Sequence, residues 1–154
     1  MAPRPDVLVA AATPAEAPAV RAVIVRGLAQ RWHQFEPALN PDLEAFGEFY
    51  AEALVLVAKV EGEIVGCGVL VREENEVGRI VRMSVSSEHQ RTGIGTRLLW
   101  SLLERAKALG YKEIVLETTA VWESAVAFYR GHGFIPTEVR GDDQHFRLSL
   151  EATT

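Results

Sequence analysis

The sequence predicts a mixed α/β fold: a central sheet in the order β-α-α-β-β-β-α-β-α-β-β, with helices on both faces. Three observations predict it. Apolar residues first repeat at helical spacing, then switch near Leu54 to Val- and Leu-rich runs with the period of strands. These runs follow one another through short polar turns, the pattern of an antiparallel meander. A glycine-containing loop and a long leucine-rich helix then separate two further strand-like runs. A crossover of that length makes the strands it joins parallel.

Taken in order, residues 1–6 hold two prolines and read as a frayed end, and Val7–Ala11 as a first strand. Thr13-Pro14-Ala15-Glu16 is a helix start, with Pro14 at the first helical position and Glu16 completing a capping box. Val20, Val23, Ile24 and Leu28 continue that helix on one stripe. Arg31–Asn40 reads as a loop. Asn40-Pro41-Asp42 starts a second helix, with Leu43, Phe46 and Tyr50 on one side. Leu54–Val60, Ile64–Val71 and Arg79–Val85 form the meander, with turns at Glu61-Gly62-Glu63 and Glu73–Gly78. The long helix carries Ile94, Leu98, Leu99, Leu102, Leu103, Ala106 and Leu109 on one stripe, and Gly110 ends it. Glu113–Thr118 is a strand, and Val121–Arg130 a helix closed by Gly131 or Gly133. Phe134–Val139 and His145–Leu150 form a last hairpin around Gly141-Asp142-Asp143.

The 154 residues fit one domain, and 48% apolar content is enough for a core. A formal net charge of −5 gives no electrostatic footprint for nucleic acid. Cys67 is alone, so no intrachain disulfide forms. Apolar runs fall short of the roughly 18 residues a membrane span needs. The first residues lack the layout of a secretory signal, so a cytoplasmic location is expected. The histidines are scattered, without His-x-x-x-His or Cys/His spacing, so no metal site is expected. Cys67 lies between Gly66 and Gly68 on a strand and reads as a small buried side chain.

The residues that carry chemistry begin at Gln90-Arg91-Thr92-Gly93-Ile94-Gly95, between a strand and a helix. Glycines at 93 and 95 remove Cβ atoms where a ligand can approach the backbone. The first-turn amides of the following helix have no internal partners and suit a pyrophosphate. Arg91 and Arg97 add charge at the rim. A tight turn that binds nothing would read the same way. The P-loop is a poor fit, since no Lys follows the glycines. So is the dinucleotide fingerprint, since position 98 is Leu.

That motif, after a strand ending in Met83-Ser84-Val85 and before a Leu-rich helix, resembles the acyl-CoA motif of the Gcn5-related N-acetyltransferase (GNAT) family. Ala125-Val126-Ala127-Phe128-Tyr129-Arg130-Gly131-His132-Gly133-Phe134 resembles the same family's Ala-x-x-Leu-Tyr-x-x-x-Gly-Phe segment. Motif likeness runs from Leu54 to Phe134, and element order matches from Val7 onward. The resemblance implies one GNAT domain over residues 1–154, with acetyl-CoA as cosubstrate and an amine as acceptor. It implies cosubstrate contacts at Met83, Ser84, Val85, Gln90, Arg91, Thr92, Gly93, Ile94, Gly95 and Thr96. One departure stands out: family members often carry Asn three residues before the Ala of the second motif, and here that residue is Trp122.

In direct transfer a neutral amine attacks the thioester, a base takes its proton, a donor protonates the leaving thiolate and an N–H holds the oxyanion. The resemblance implies that the thioester lies beside the Met83–Val85 strand, where that strand splays from Glu113–Thr118, and that a backbone N–H there is the oxyanion donor. It puts Tyr129 at the thiolate-proton position. On the residues alone Tyr129 is a packed aromatic beside Phe128. Glu117, near the end of its strand, is the candidate base, with burial expected to raise its pKa. A strand-end carboxylate facing water is the other reading. Trp32 and Phe35 wall an acceptor pocket or anchor the core. His132 serves a helix C-terminus. A GNAT-fold module that holds acyl-CoA without turnover is the alternative function. A third is a nucleotide-binding protein. Monomer and homodimer both stand open, and no nucleic-acid or membrane partner is expected.

Overall fold

The computed structural model describes residues 6–32 and 36–150. Its elements are β1 (Val7–Ala11), α1 (Ala17–Trp32), α2 (Phe46–Phe49), β2 (Leu54–Val60), β3 (Glu63–Glu74), β4 (Val77–Val85), α3 (Ile94–Ala108), β5 (Glu113–Thr119), α4 (Glu123–Gly131), β6 (Ile135–Arg140) and β7 (Asp143–Ser149). This is the expected order. Residues 1–5 of the expected frayed end, and Phe35, lie outside the described residues.

The strands form one seven-stranded sheet in the order β1-β2-β3-β4-β5-β7-β6. Only β4 and β5 pair in parallel, as a crossover through α3 requires. Local sequence sets the turns. Glu61 and Gly62 both have positive φ (52° and 82°), the two-residue turn whose twist matches the β2–β3 hairpin. Thr13 N donates to Glu16 Oε1 at 2.8 Å, and the expected capping box is in place at the entry to α1. Gly110 (φ 90°) follows α3 and Gly133 (φ 91°) follows α4, so Gly133 closes α4.

The limits of α4, β5, β6 and β7 differ from expectation by one or two residues, and two other differences have a visible cause. The polar turn at Glu73–Gly78 is shorter, because β3 runs on to Glu74 and β4 begins at Val77. Glu73 and Arg79 pair across that extension, Arg79 Nε to Glu73 Oε2 at 2.7 Å. The second helix is broken into a 3-10 turn at Pro41–Leu43 and the short α2. Its starting side chains are used elsewhere. Asn40 Nδ2 donates to the Glu36 carbonyl, and Asp42 turns inward to Arg82 rather than capping.

The sheet divides the core in two. On one face α3 buries Ile94, Leu98, Leu99, Leu102 and Ala106 against Leu56, Ile80, Ile114, Leu116 and Phe146. Leu109, expected on that stripe, is exposed at the helix end. On the other face α1 buries Val20 and Ile24 with Leu43, Phe46, Val57, Cys67 and Val69. Truncating Leu102, fully buried under α3, removes contacts that neighbours cannot refill. Leu102→Ala should lower unfolding stability by about 2–5 kcal/mol in a denaturant titration. A loss within error would show that α3 does not anchor this face.

Candidate active site

The parallel pairing of β4 and β5 is brief: Val77↔Glu113, Gly78↔Ile114 and Arg79↔Val115. Beyond these pairs β4 stays with β3 as far as Val85, while β5 stays with β7 as far as Thr119. The two strands therefore part, and one edge of β4 from Ile80 onward faces an opening. Ser86 N donates to Val65 O at 2.8 Å, so Ser84, two residues back, also aims its amide at β3. The amides of Met83 and Val85 then point to the open edge. The Ser84 side chain faces α1, where a Cβ on Gly27 would meet its Oγ at 2.8 Å.

The loop after β4 is built to expose amides. Arg91 (φ 63°) and Gly93 (φ 87°) both take the left-handed conformation. Successive turns of this hand fan N–H groups into an anion-binding concavity. The first helical bond of α3 is Arg97 N to Gly93 O, at 3.1 Å. Among the described residues, the amides of residues 91–96 have no backbone acceptor. The loop itself is held by side chains. Gln90 Nε2 donates to Val85 O at 3.2 Å, and Thr92 Oγ1 to His89 O. Gly93 is glycine for its φ, since a Cβ there would meet nothing within 4 Å. Gly95 is different. Its φ is ordinary, and a Cβ would sit in normal contact with the Phe128 ring at 3.5 Å. Nothing in the protein forbids a side chain at Gly95, so the absent Cβ leaves room over the amides for a ligand.

His132 joins the two helices beside this loop. Its Nδ1 lies 2.7 Å from the Phe128 carbonyl and must donate. Neutral His132 Nε2 then accepts from Thr96 Oγ1 at 3.2 Å. His132 thus serves the C-terminus of α4, as its position suggested, and also ties α4 to the first turn of α3.

Tyr129 is buried, with its ring against Phe128, Phe134 and Phe146. Among the described residues its hydroxyl has no hydrogen-bond partner, and no buried side-chain polar atom is left unsatisfied. The hydroxyl therefore reaches accessible surface. Burial raises the phenol's pKa above its ordinary value, opposed by the positive charge of Arg31. The group stays protonated across neutral pH.

Glu117 lies on β5 just past the last β4 pair, on the face opposite Ile114 and Leu116. It is not desolvated as expected: its side chain is 33% exposed and forms an ion pair with Arg79. His145 Nδ1, from the paired residue on β7, is 4.0 Å from the same carboxylate. A cleft of about 220 Å³ adjoins this cluster, lined by Arg79, Val115, His145 and Arg147 among others.

Trp122 is the N-cap residue of α4. Its ring lies 5.2 Å from Trp32, and the Arg31 guanidinium stacks over it at 4.4 Å. Trp32 is 50% exposed, so it is a rim residue rather than a core anchor. Cys67 is fully buried, and burial pushes its thiol up to about 12, as suits a packing residue. Among the described residues, no group of three or more His, Cys, Asp or Glu could hold a metal. No helix among them is long and apolar enough to cross a membrane.

The family model of the GNAT acetyltransferases matches residues 24–134. The chain belongs to that family. This GNAT family member is 33% identical over 111 residues to N-acetyltransferase 8F1 of Rattus norvegicus, covering 69% of this chain and 48% of that protein. The chain spans about half the length of the named relatives it matches. In fold it is similar to a GNAT acetyltransferase from Staphylococcus aureus Mu50, with a TM-score of 0.85, 20% identity, and coverage of 95% of this chain and 100% of that one. It is also similar to the PaiA N-acetyltransferase from Thermoplasma acidophilum in complex with coenzyme A. There the TM-score is 0.82 at 16% identity, with 94% and 99% covered.

Of the GNAT residues expected from sequence, Gln90–Thr96 form one amide-rich loop, and Met83 and Val85 border the opening. Glu117 and Tyr129 come from neighbouring elements, β5 and α4, on opposite faces of the sheet. Reading the sequence alone missed Arg79, Arg82 and Asp42. The available signal was a pair of arginines inside an otherwise apolar strand, since a charge there needs a partner.

Proposed function

We propose that this protein transfers the acetyl group of acetyl-CoA to a primary amine by direct attack. One observation carries the reading: an amide-rich loop at residues 91–96 adjoins a sheet opening with unpaired β4 amides. The loop suits a pyrophosphate, and the space over Gly95 suits its approach. Acetyl-CoA supplies the activated acetyl group. The amine nitrogen bonds to the thioester carbon and the carbon–sulfur bond breaks. The leaving thiolate takes the Tyr129 hydroxyl proton, and an N–H of the Met83–Val85 edge steadies the oxyanion. The amine's own proton passes to Glu117, directly or through water. Arg79 pairs with that carboxylate and orients it. His145 Nδ1 lies 4.0 Å from the same carboxylate. The cleft beside Arg79 and His145 gives the acceptor room.

A second reading, a module that holds acyl-CoA without turnover, draws on Trp122. Its ring is stacked with Trp32 and Arg31 where relatives often have a cofactor-holding Asn. Calorimetry with acetyl-CoA, paired with thiol release over an amine panel, separates the two. Binding with no release on any amine would favour the module.

Gly95→Ala should raise stability by up to about 1 kcal/mol, because Gly disfavours a helical position and the methyl fits. The same variant should bind CoA more weakly. Stabilisation with unchanged CoA affinity would remove the loop from the binding site. For Tyr129→Phe we expect turnover to fall about 10²–10⁴-fold, the range for a positioned acid. CoA affinity should hold, since the thioester sulfur is a poor acceptor. Stability should barely move, because the hydroxyl has no partner among the described residues. Near wild-type turnover, measured where chemistry limits the rate, would return Tyr129 to packing. Glu117→Gln should lower turnover while leaving acetyl-CoA affinity intact. An unchanged rate would send the amine proton straight to solvent.

A further inference from the structure

Asp42 is the only buried charged side chain among the described residues, at 8% exposure. It sits in the 3-10 turn before α2, on the α1 side of the sheet. Its carboxylate accepts two hydrogen bonds from Arg82, Nε to Oδ2 at 2.9 Å and Nη2 to Oδ1 at 2.6 Å. Tyr50 hydroxyl donates to Oδ2 at 2.5 Å. Arg82 Nη2 also donates to Asn40 Oδ1 at 3.0 Å. The geometry is bidentate, the strongest arrangement for such a pair.

Arg82 is also where β4 is strained. Its φ is 54°, a left-handed conformation that strains a non-glycine residue and persists only where its surroundings impose it. Between the pairs Val69↔Val81 and Cys67↔Ser84, β3 has one residue, Gly68, and β4 has two, Arg82 and Met83. This is a β-bulge, and bulges re-aim the strand next to functional sites. Gly68 makes room for it: a Cβ there would lie 2.5 Å from Met83 Sδ. The Cys67 thiol donates to the Arg82 carbonyl at 3.3 Å. The bulge is thus pinned by its backbone from β3 and by its side chain from Asp42. The next amide along, Met83 N–H, faces the open edge.

We propose that Asp42 and Arg82, backed by Tyr50, are positioning residues that hold the β4 bulge so that the Met83 N–H is aimed at the thioester carbonyl. This rests on the acetyltransferase reading. Neither side chain touches the reacting atoms. Stability alone is a weak reason for a buried ion pair, since apolar side chains of similar volume often serve as well or better. What apolar packing cannot supply is directional hold on a strained residue. The pair also fastens the segment around residues 40–50 to β4, so that this wall and the strand move together.

The test compares wild type with Arg82→Lys and Asp42→Asn, which break the bidentate contact but keep, respectively, a cation and a polar side chain of similar shape. Tyr50→Phe removes a single hydrogen bond and serves if the first two fail to fold. Each is followed by melting, CoA calorimetry, thiol release over an amine panel, and the ¹⁵N-resolved Met83 amide with CoA or acetyl-CoA added. In wild type the Met83 resonance should respond to acetyl-CoA beyond its response to CoA. In folded Arg82→Lys that extra response should vanish and turnover fall on the order of 10², the cost of about 1 Å of misplacement. CoA affinity should persist, because the 91–96 amides are untouched. A folded Arg82→Lys protein with the wild-type Met83 response and turnover overturns the proposal. So does a wild-type Met83 amide that is blind to the acetyl group. An acetyl-specific, Arg82-dependent Met83 response without turnover on any amine supports the positioning role and overturns the acetyltransferase reading.

Discussion

The parting of β4 from β5 after Arg79 and Val115 is the constraint on which the rest depends. Each strand keeps one partner, β3 for β4 and β7 for β5, so the sheet holds while one shared ladder ends. Backbone groups on the facing edges are left without strand partners, and buried groups of that kind must be satisfied by water or by a ligand. An opening in mid-sheet is therefore a polar slot with apolar walls. The edge amides of β4, Glu117 on β5 and the loop that follows β4 border it, while Tyr129 on α4 packs against Phe146 of β7.

The same opening explains why chemistry is divided between the faces of the sheet. Side chains alternate along β5, with Ile114 and Leu116 in the α3-side core, and Val115 and Glu117 on the other face. The amide-rich loop and the α4 tyrosine belong to the helical layer over the first face. Glu117, Arg79 and His145 belong to the second, where β5 and β7 are left uncovered beside α1. The two sets of groups adjoin only where the strands separate. The sheet acts as a partition with one gap.

Tyr129 shows how packing tunes a group without any specific contact. Its ring is enclosed by Phe128, Phe134 and Phe146, and that enclosure disfavours the phenolate. Arg31, at the end of α1, pulls the other way while stacking on Trp122. Burial dominates, so the proton stays on oxygen at neutral pH. Glu117 is the contrast: it is part-exposed and held by one specific contact, its ion pair with Arg79.

Local rules in the sequence determined the element order, most strand limits, the turn at Glu61-Gly62, the glycine stops after α3 and α4, and the loop at residues 90–96. Each of these depends on side-chain period, on φ or on free helix-end amides, which are properties of neighbouring residues. The broken second helix was not legible, because Asn40 and Asp42 look like helix starters until Arg82, some forty residues away, claims them. Nor was the pairing of Glu117 with Arg79, or the bulge at Arg82, since both need strands distant in sequence to lie side by side. Gly95 shows the boundary within one motif: the sequence marked it as a missing Cβ, but only its neighbours show that the space is not claimed by the fold. Short-range geometry is written in the order of residues. Whether a charge is free, a cavity open or a strand strained is decided by contacts that exist only once the chain has closed on itself.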